Sequence, residues 1–420
     1  MRFVVAAPHS GSGKTVITSG LIAALAARGK SVHPAKVGPD YIDTAFLSAA
    51  AGRPAINLDL WAMRPLLVTA LAAHDNLVVE GVMGLFDGPS SGVGSTADVA
   101  RLLNLPVVLV VNAARQSQSV AALVHGFATF DKTVNIAGVI LSRVGSLKHA
   151  RMLREALAAT SVPCLGTVPT DERLAFPSRH LGLTQAGEYA DITERIDAIG
   201  RVISGCVDMN AIEALGAPPI AMPDLPAPLP PPGSRIAIAS DQAFSFSYTH
   251  ILNGWRSAGA TLHPFSPLGD EAPDAAADAI VVPGGYPELH AGRLAAGTKW
   301  KAGLRAAAER GVFVFGECGG YMALGETLVD ADGTAHAMAG LLPIATSFRD
   351  RHRTLGYREL THDAGLLPPT LRGHEFHYAT VKKEGEPLFH AFDADGNALG
   401  PMGTRSGSVC GSFAHIIDTH

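Results

Sequence analysis

Apolar residues fall in two kinds of run along this chain of 420 residues. Short blocks rich in Val, Ile, Leu and Ala occur at RFVVAA (2–7), SVHPAKVG (31–38), LVVEGVMG (77–84), PVVLVVNA (106–113), NIAGVILSRV (135–144) and PCLGTVP (163–169). Between them, apolar positions recur at helical spacing in TVITSGLIAALAARG (15–29), which ends on Gly29 as an expected C-cap, and in QSVAALVHGFATF and HARMLREALAAT. Blocks that are apolar on both faces and separated by helices predict a parallel sheet covered on each side.

Around 186–233 this pattern stops, and APPIAMPDLPAPLPPPGS is Pro-rich and expected to be extended. A second series then begins. SRIAIAS (234–240), AIVVPGG (279–285) and VFVFGECGG (312–320) read as strands ending in Gly-rich turns, with helical patterns at GWRSAGA and TKWKAGLRAAAERG. The expected organisation is a domain over 1–190, a Pro-rich linker over 191–233 and a second domain over 234–420, both domains α/β.

Composition narrows the classes. Apolar residues make up 47% and charged residues 17%, which excludes disorder as the main state. The net charge of −5 gives no positive field for nucleic acid or an anionic membrane, and no apolar run is long enough to span a bilayer. The four cysteines are too scattered for a disulfide scaffold or a CxxC zinc site, so a cytoplasmic, reducing compartment is expected.

Three features carry chemistry. The first is SGSGKT (10–15), between a strand and a helix. Ser10, Gly11, Ser12 and Gly13 can curl so that backbone N–H groups face phosphate oxygens. Lys14 supplies charge to the β/γ-phosphates, and the Thr15 hydroxyl suits Mg²⁺. The pattern GxxxxGK[ST] is incomplete, because Pro8 stands at its first Gly position. The second is a set of acids after strands: Asp40 and Asp43 in KVGPDYIDTAF, Glu80 and Asp87 in LVVEGVMGLFDG. Ligands of open α/β sheets sit outside the carboxyl ends of the strands, so these acids should share a crevice with Lys14. Carboxylates beside a triphosphate are tolerated when Mg²⁺ lies between them, which suggests metal ligands or orienters of metal-bound water. For Asp40 and Asp43, turn-capping is the competing reading.

The third is Cys318 in GECGGY, on a Gly-flanked strand-to-helix turn that resembles a nucleophile elbow. The helix N-terminus should favour its thiolate. Gly319 and the Gly-rich PGGYPE turn, with Gly285, could supply oxyanion N–H groups. A histidine is the expected base, and His374, His377 and His415 are all candidates from the residues alone.

The segments SGSGKT, KVGPDYIDTAF, VVEGVMGLFDG, GVILSRVGS, PSRHLGL, DQAFSFSY, PGGYPELH, GECGGYM, GHEFHYA and GSFAHI occur in this order. In that series the chain resembles the cobyrinic acid / hydrogenobyrinic acid a,c-diamide synthases along nearly its whole length. The resemblance implies a dethiobiotin-synthetase-like P-loop ATP domain followed by a flavodoxin-like class I glutamine amidotransferase domain. It implies amidation of the a and c carboxylates of a corrinoid with ATP, Mg²⁺ and glutamine, through acyl phosphates. It makes Cys318 the glutaminase nucleophile and His415 its base. It implies metal handling by Thr15, Asp40 and Glu80, and substrate or phosphoryl handling by Asp40, Asp43 and Asp87. A second copy of the chain is a candidate partner. Two positions depart from the family: Ser142 replaces the usual Asn of GVILNRVGS, and Ser240 replaces an Arg. Competing readings are another tetrapyrrole amide ligase, namely a cobyric acid synthase or a nickel-sirohydrochlorin a,c-diamide synthase, and a P-loop regulatory ATPase of the partitioning type.

Overall fold

A computed structural model describes the chain except residues 91, 177, 180–181, 184–187, 217–228, 364, 366 and 420, with the side chains of 178–179 and 182–183 also left aside. Most of the PSRHLGL segment and of the Pro-rich stretch therefore lies outside the described residues. The chain divides into two compact units, Met1–Trp61 with Pro65–Leu225, and Ala62–Arg64 with Pro226–His420.

The first unit is built on seven strands: β1 (Arg2–Ala6), β2 (His33–Val37), β3 (Ile56–Leu58), β4 (Leu77–Glu80), β5 (Val107–Asn112), β6 (Ile136–Val144) and β7 (Cys164–Pro169). Their order is β3-β2-β4-β1-β5-β6-β7, and every pair is parallel. Burial on both faces accounts for the unbroken apolar blocks: Phe3, Val4, Val5, Val78, Val79, Val108, Leu109 and Ile140 are all fully buried. The chain leaves β1 towards β2 on one side and crosses back from β4 to β5 on the other. The loop after β1 therefore opens where the strand order reverses, the usual ligand position in such sheets.

Residues 192–214, expected as part of a linker, instead form helices Ile192–Cys206 and Met209–Ala214. Ile196, Ile199 and Ile203 point into the core of the first unit, so the segment belongs to that unit. Helix Ile192–Cys206 crosses helix Lys14–Ala27 at glycines. A Cβ on Gly20 would lie 2.4 Å from the Ile203 side chain, and one on Gly200 would lie 2.9 Å from the Ala23 Cβ.

The second unit holds strands Thr261–Phe265, Arg235–Ala239, Ala279–Val282, Phe313–Glu317 and Val409–Ser412 in parallel, with Thr404–Ser406 antiparallel at the edge. Antiparallel sheets elaborate it. One pairs Thr354–Thr361 with Thr370–His377, and the latter with the C-terminal strand Ala414–Thr419. In the strand Thr370–His377, Leu371, Gly373 and Glu375 are buried while the intervening residues are only partly so, as a period-two pattern requires.

If helix Ile192–Cys206 is core, Ile203→Ala should lower stability by about 2–5 kcal/mol in urea unfolding followed by far-UV circular dichroism. An exposed linker position would change it by less than about 0.5 kcal/mol.

Candidate active sites

In the first unit, Gly11 and Gly13 have φ of 78° and 91°, a left-handed region closed to most residues. They turn the loop after β1 into the start of helix Lys14–Ala27, whose N-terminus has no side-chain cap. Its first N–H groups are thus left for an anion. The loop is braced from within: the Ser12 hydroxyl donates to the His9 carbonyl at 2.9 Å, and the Ser142 hydroxyl donates to the Ser12 carbonyl at 2.9 Å. Ser142 thus serves as a support for the loop. The Lys14 ammonium donates to the Met83 carbonyl. Burial, then the neighbouring Lys36, lowers Lys14 to about 8.

The acids gather at this mouth in two ways. Glu80, at the end of β4 and fully buried, accepts the Thr15 hydroxyl at 2.8 Å. Lys36, near the end of β2, was not singled out from the sequence. Its ammonium donates to Asp43 at 2.6 Å, to Glu80 at 3.0 Å and to the Gly81 carbonyl at 3.2 Å. Burial pushes Lys36 down, but Asp43 and Glu80 outweigh it and hold the group above the ordinary lysine range. Burial raises Glu80 to about 7 against the pull of Lys36. Burial and then Asp43 raise Asp40 to about 6. Asp40 also accepts the Asp43 backbone N–H at 2.8 Å, and Asp87 accepts the Gly84 N–H at 2.9 Å. Asp40 and Asp87 therefore cap turns, the reading that competed with a metal role for Asp40.

Among the described residues no three His, Cys, Asp or Glu side chains cluster as a ready metal cage. The donor set nonetheless fits a hard cation that keeps most of its water. Glu80 Oε2 is sealed from solvent and makes no hydrogen bond, and the Thr15 hydroxyl lies against the same carboxylate.

In the second unit, Cys318 follows strand Phe313–Glu317 with φ 47° and ψ −105°, the strained turn of a nucleophile elbow. Its N–H donates to the Ser412 carbonyl at 2.8 Å. Gly319 and Gly285 are brought together, since a Cβ on Gly319 would sit 3.0 Å from the Gly285 nitrogen. A Cβ on Gly284 would sit 2.2 Å from His415 Cε1, so the PGGYPE turn meets both the imidazole and the elbow. His415 is the histidine at this turn. His374 faces it from the paired strand, and His377 is engaged elsewhere, with Nε2 at 2.9 Å from Glu375 and its ring stacked on Phe413 at 3.8 Å.

One expectation is corrected. Helix Gly319–Leu324 has only 6 residues, and its N-terminus does not make the thiolate the favoured form. Burial, then Glu288, then further carboxylates push the thiol well above its ordinary range, against the Gly319 N–H that pulls it down. Burial, then His374 and His377, lowers His415 to about 3. Both the Cys318 thiol and the His415 imidazole are held in their uncharged forms, and the thiol donates to the Phe376 carbonyl at 3.8 Å.

Behind the strand carrying Cys318, an apolar pocket is lined by Trp255, Phe313, Phe315, Val281 and Ile416, with Glu317 at its wall. Burial raises Glu317 to about 8, and its Oε1 accepts the Ile416 N–H at 3.0 Å.

Comparison with known proteins covers both units. Residues 3–183 match the family model of the CobQ/CobB/MinD/ParA nucleotide binding domain. Residues 235–419 match that of the CobB/CobQ-like glutamine amidotransferase domain. The chain is 53% identical to the hydrogenobyrinate a,c-diamide synthase of Brucella anthropi over 99% of its own length and 98% of the relative's. It is 50% identical to that of a Sinorhizobium species and 46% identical to that of Agrobacterium fabrum, with the same coverage. The chain thus belongs to the hydrogenobyrinate a,c-diamide synthase family, as a glutamine-hydrolysing amide ligase with a P-loop nucleotide-binding domain ahead of its amidotransferase domain.

Proposed function

We propose that this protein amidates the a and c side-chain carboxylates of hydrogenobyrinic acid in cobalamin biosynthesis, using ATP and glutamine. The observation that carries the reading is the presence, in one chain, of a phosphate cradle beside carboxylates and a cysteine elbow packed on the glycine turn that also meets His415. The names of the relatives favour the metal-free corrinoid over a cobalt-containing one.

A carboxylate is a poor acyl donor at neutral pH. In this reading the first unit transfers the ATP γ-phosphoryl group to it, giving an acyl phosphate. The N–H groups at the start of helix Lys14–Ala27 hold the phosphates, and Lys14 offsets charge that develops between β- and γ-phosphate. Thr15 and Glu80 would hold Mg²⁺, which when bound supplies neutralising charge at the phosphate oxygens. Lys36 fixes Asp43 and Glu80 at the mouth. Asp40 orders the turn that presents Asp43, and Asp87 holds the turn whose Met83 carbonyl takes Lys14.

In the second unit the Cys318 sulfur attacks the side-chain amide carbon of glutamine as His415 takes the thiol proton. N–H groups at Gly285 and Gly319 stabilise the tetrahedral oxyanion. His415 returns the proton to the departing ammonia, and water clears the thioester as glutamate. Ammonia then displaces phosphate from the acyl phosphate, and two rounds give the diamide. Among the described residues no helix is long and apolar enough to cross a membrane, and we assign the enzyme to the cytoplasm.

Cys318→Ser should lose glutamine-supported amidation by roughly three orders of magnitude or more while keeping amidation driven by ammonium chloride. Mass spectrometry of the corrinoid product reads both, and loss of both in a folded variant would refute the nucleophile assignment. Lys14→Ala should slow turnover roughly a hundredfold or more with either nitrogen source. Normal ammonia-dependent turnover in that variant removes the P-loop reading.

The acids separate by their Mg²⁺ dependence. Glu80→Gln should raise the Mg²⁺ midpoint of ammonia-dependent turnover roughly tenfold or more. Asp87→Ala should leave the midpoint in place and cost about 1 kcal/mol of stability through the lost turn bond. An unchanged midpoint in Glu80→Gln would reject the metal role.

A further inference from the structure

The two residues assigned to the glutaminase reaction stand on different sheets. Strand Phe313–Glu317 ends just before Cys318 and pairs with Val409–Ser412, with Glu317 opposite Ser412. The chain then leaves that sheet at Phe413. Strand Ala414–Thr419 pairs instead with Thr370–His377, with His415 opposite His374. The ladder that fixes Cys318 therefore stops three residues before His415, and something else must set the one against the other.

The C-terminal strand is anchored at its far end, where the two oxygens of the fully buried Asp418 each take the Arg64 guanidinium at 2.9 Å. A bulge separates this anchor from His415. Asp418 lies opposite Arg372 and Ile416 opposite Gly373, so Ile417 is an extra residue in the strand, and its carbonyl lies 2.9 Å from His250 Nε2. Bulges bend a strand and re-aim the side chains beside them. On the near side of the bulge the partner strand closes on the histidine: a Cβ on Gly373 would lie 2.4 Å from the His415 carbonyl oxygen. There the Ile416 N–H is given to Glu317 Oε1 at 3.0 Å. Glu317 directly precedes Cys318, and Ile416 directly follows His415. One side chain thus ties the neighbour of the thiol to the neighbour of the imidazole.

We propose that Glu317 is a positioning residue of the glutaminase site: its bond to the Ile416 N–H holds His415 in register with Cys318 across the two sheets. This rests on the reading of Cys318 as the nucleophile and His415 as its base. The bond reaches the backbone and neither reacting atom. What the role requires is an acceptor oxygen at the right reach, and not a charge. Burial raises Glu317 to about 8, so near neutral pH the carboxyl serves mostly as an uncharged acid, and Gln reproduces both its length and its oxygen. Proton transfer between two side chains depends steeply on their separation, and a displacement of about 1 Å can cost roughly a hundredfold in rate.

The test separates reach from charge. Glutamate release from glutamine, and amidation driven by ammonium chloride, are measured for the wild-type protein, Glu317→Gln, Glu317→Asp and Glu317→Leu, with thermal melting to establish that each is folded. Glu317→Gln should stay close to the wild-type kcat. Glu317→Asp has a carboxyl one methylene short, and Glu317→Leu has no acceptor. Both should lower kcat for glutamine hydrolysis roughly ten- to a hundredfold, with KM for glutamine nearly unchanged and ammonia-driven amidation intact. If Glu317→Leu does not fold, the contrast between Gln and Asp still decides. A Gln variant as slow as the Asp variant, an Asp variant at the wild-type rate, or a loss that falls on KM and spares kcat overturns the proposal. Cys318→Ser is run in parallel. If it still hydrolyses glutamine, the nucleophile reading fails. If it is inactive while the Gln and Asp variants reverse their expected order, that reading stands and the positioning role alone fails.

Discussion

The first site depends on one buried ammonium group. Lys36 stands near the end of β2, 2% exposed, and its three donors go to Asp43, Glu80 and the Gly81 carbonyl. Without it, two carboxylates would face each other at the carboxyl edge of the sheet. Removing one partner of a buried ion pair strands the other charge, which typically costs about 3–5 kcal/mol. With Lys36 in place, Glu80 can be fully buried and still face the Thr15 hydroxyl. That hydroxyl sits on the first turn of the helix whose N-terminus opens the phosphate cradle. The ion pair thus sets where the loop after β1, the turn after β2 and the end of β4 meet.

The second site is balanced differently. Burial and surrounding carboxylates hold the thiol of Cys318 above its ordinary range. The imidazole of His415 is kept neutral by burial and by two further histidines. A resting pair of this kind is protected from adventitious chemistry, because the thiol is a weak nucleophile until something changes its surroundings. The backbone around it is set for the reaction in advance. The left-handed φ of Cys318, and the close approach of Gly319 to Gly285, are local strains and crowding that the flanking parallel strands hold in place.

Much of this was legible in the sequence where a local pattern decides the structure. The apolar blocks gave the parallel strands because burial on both faces leaves no polar alternation. SGSGKT and GECGGY marked the two turns because few residues other than glycine tolerate the backbone there. Helix Ile192–Cys206 was missed although Ile192, Ile196, Ile199 and Ile203 recur at helical spacing. Gly200, Gly205 and the adjoining prolines weakened that signal, and Gly200 is there because helix Lys14–Ala27 approaches closely, a fact of tertiary packing. Lys36 was also overlooked, though a lysine inside an otherwise buried strand is a costly residue that calls for a partner. Which acid it pairs with depends on the register of β2 against β4, where Lys36 lies opposite Glu80. That His374 lies opposite His415 is likewise a matter of sheet register, which residue types alone do not fix.

Under the function proposed here the first site follows one electrostatic logic. Lys14 is lowered to about 8 because it is buried beside a second ammonium group, and a phosphate in the loop would supply the missing negative charge. Glu80 is raised to about 7 and keeps a sealed oxygen with no hydrogen bond, which a cation would complete. In each case the fold holds a charge in an unfavourable setting that the reactant corrects. Binding the right reactant therefore does two things at once: it offsets a desolvation cost built into the fold, and it brings the protein group into the ionisation state the chemistry needs. A reactant lacking the matching charge makes the same shape contacts but leaves that cost standing. Selectivity for charged over neutral analogues then follows from the way these groups are buried, and needs no movement of the chain.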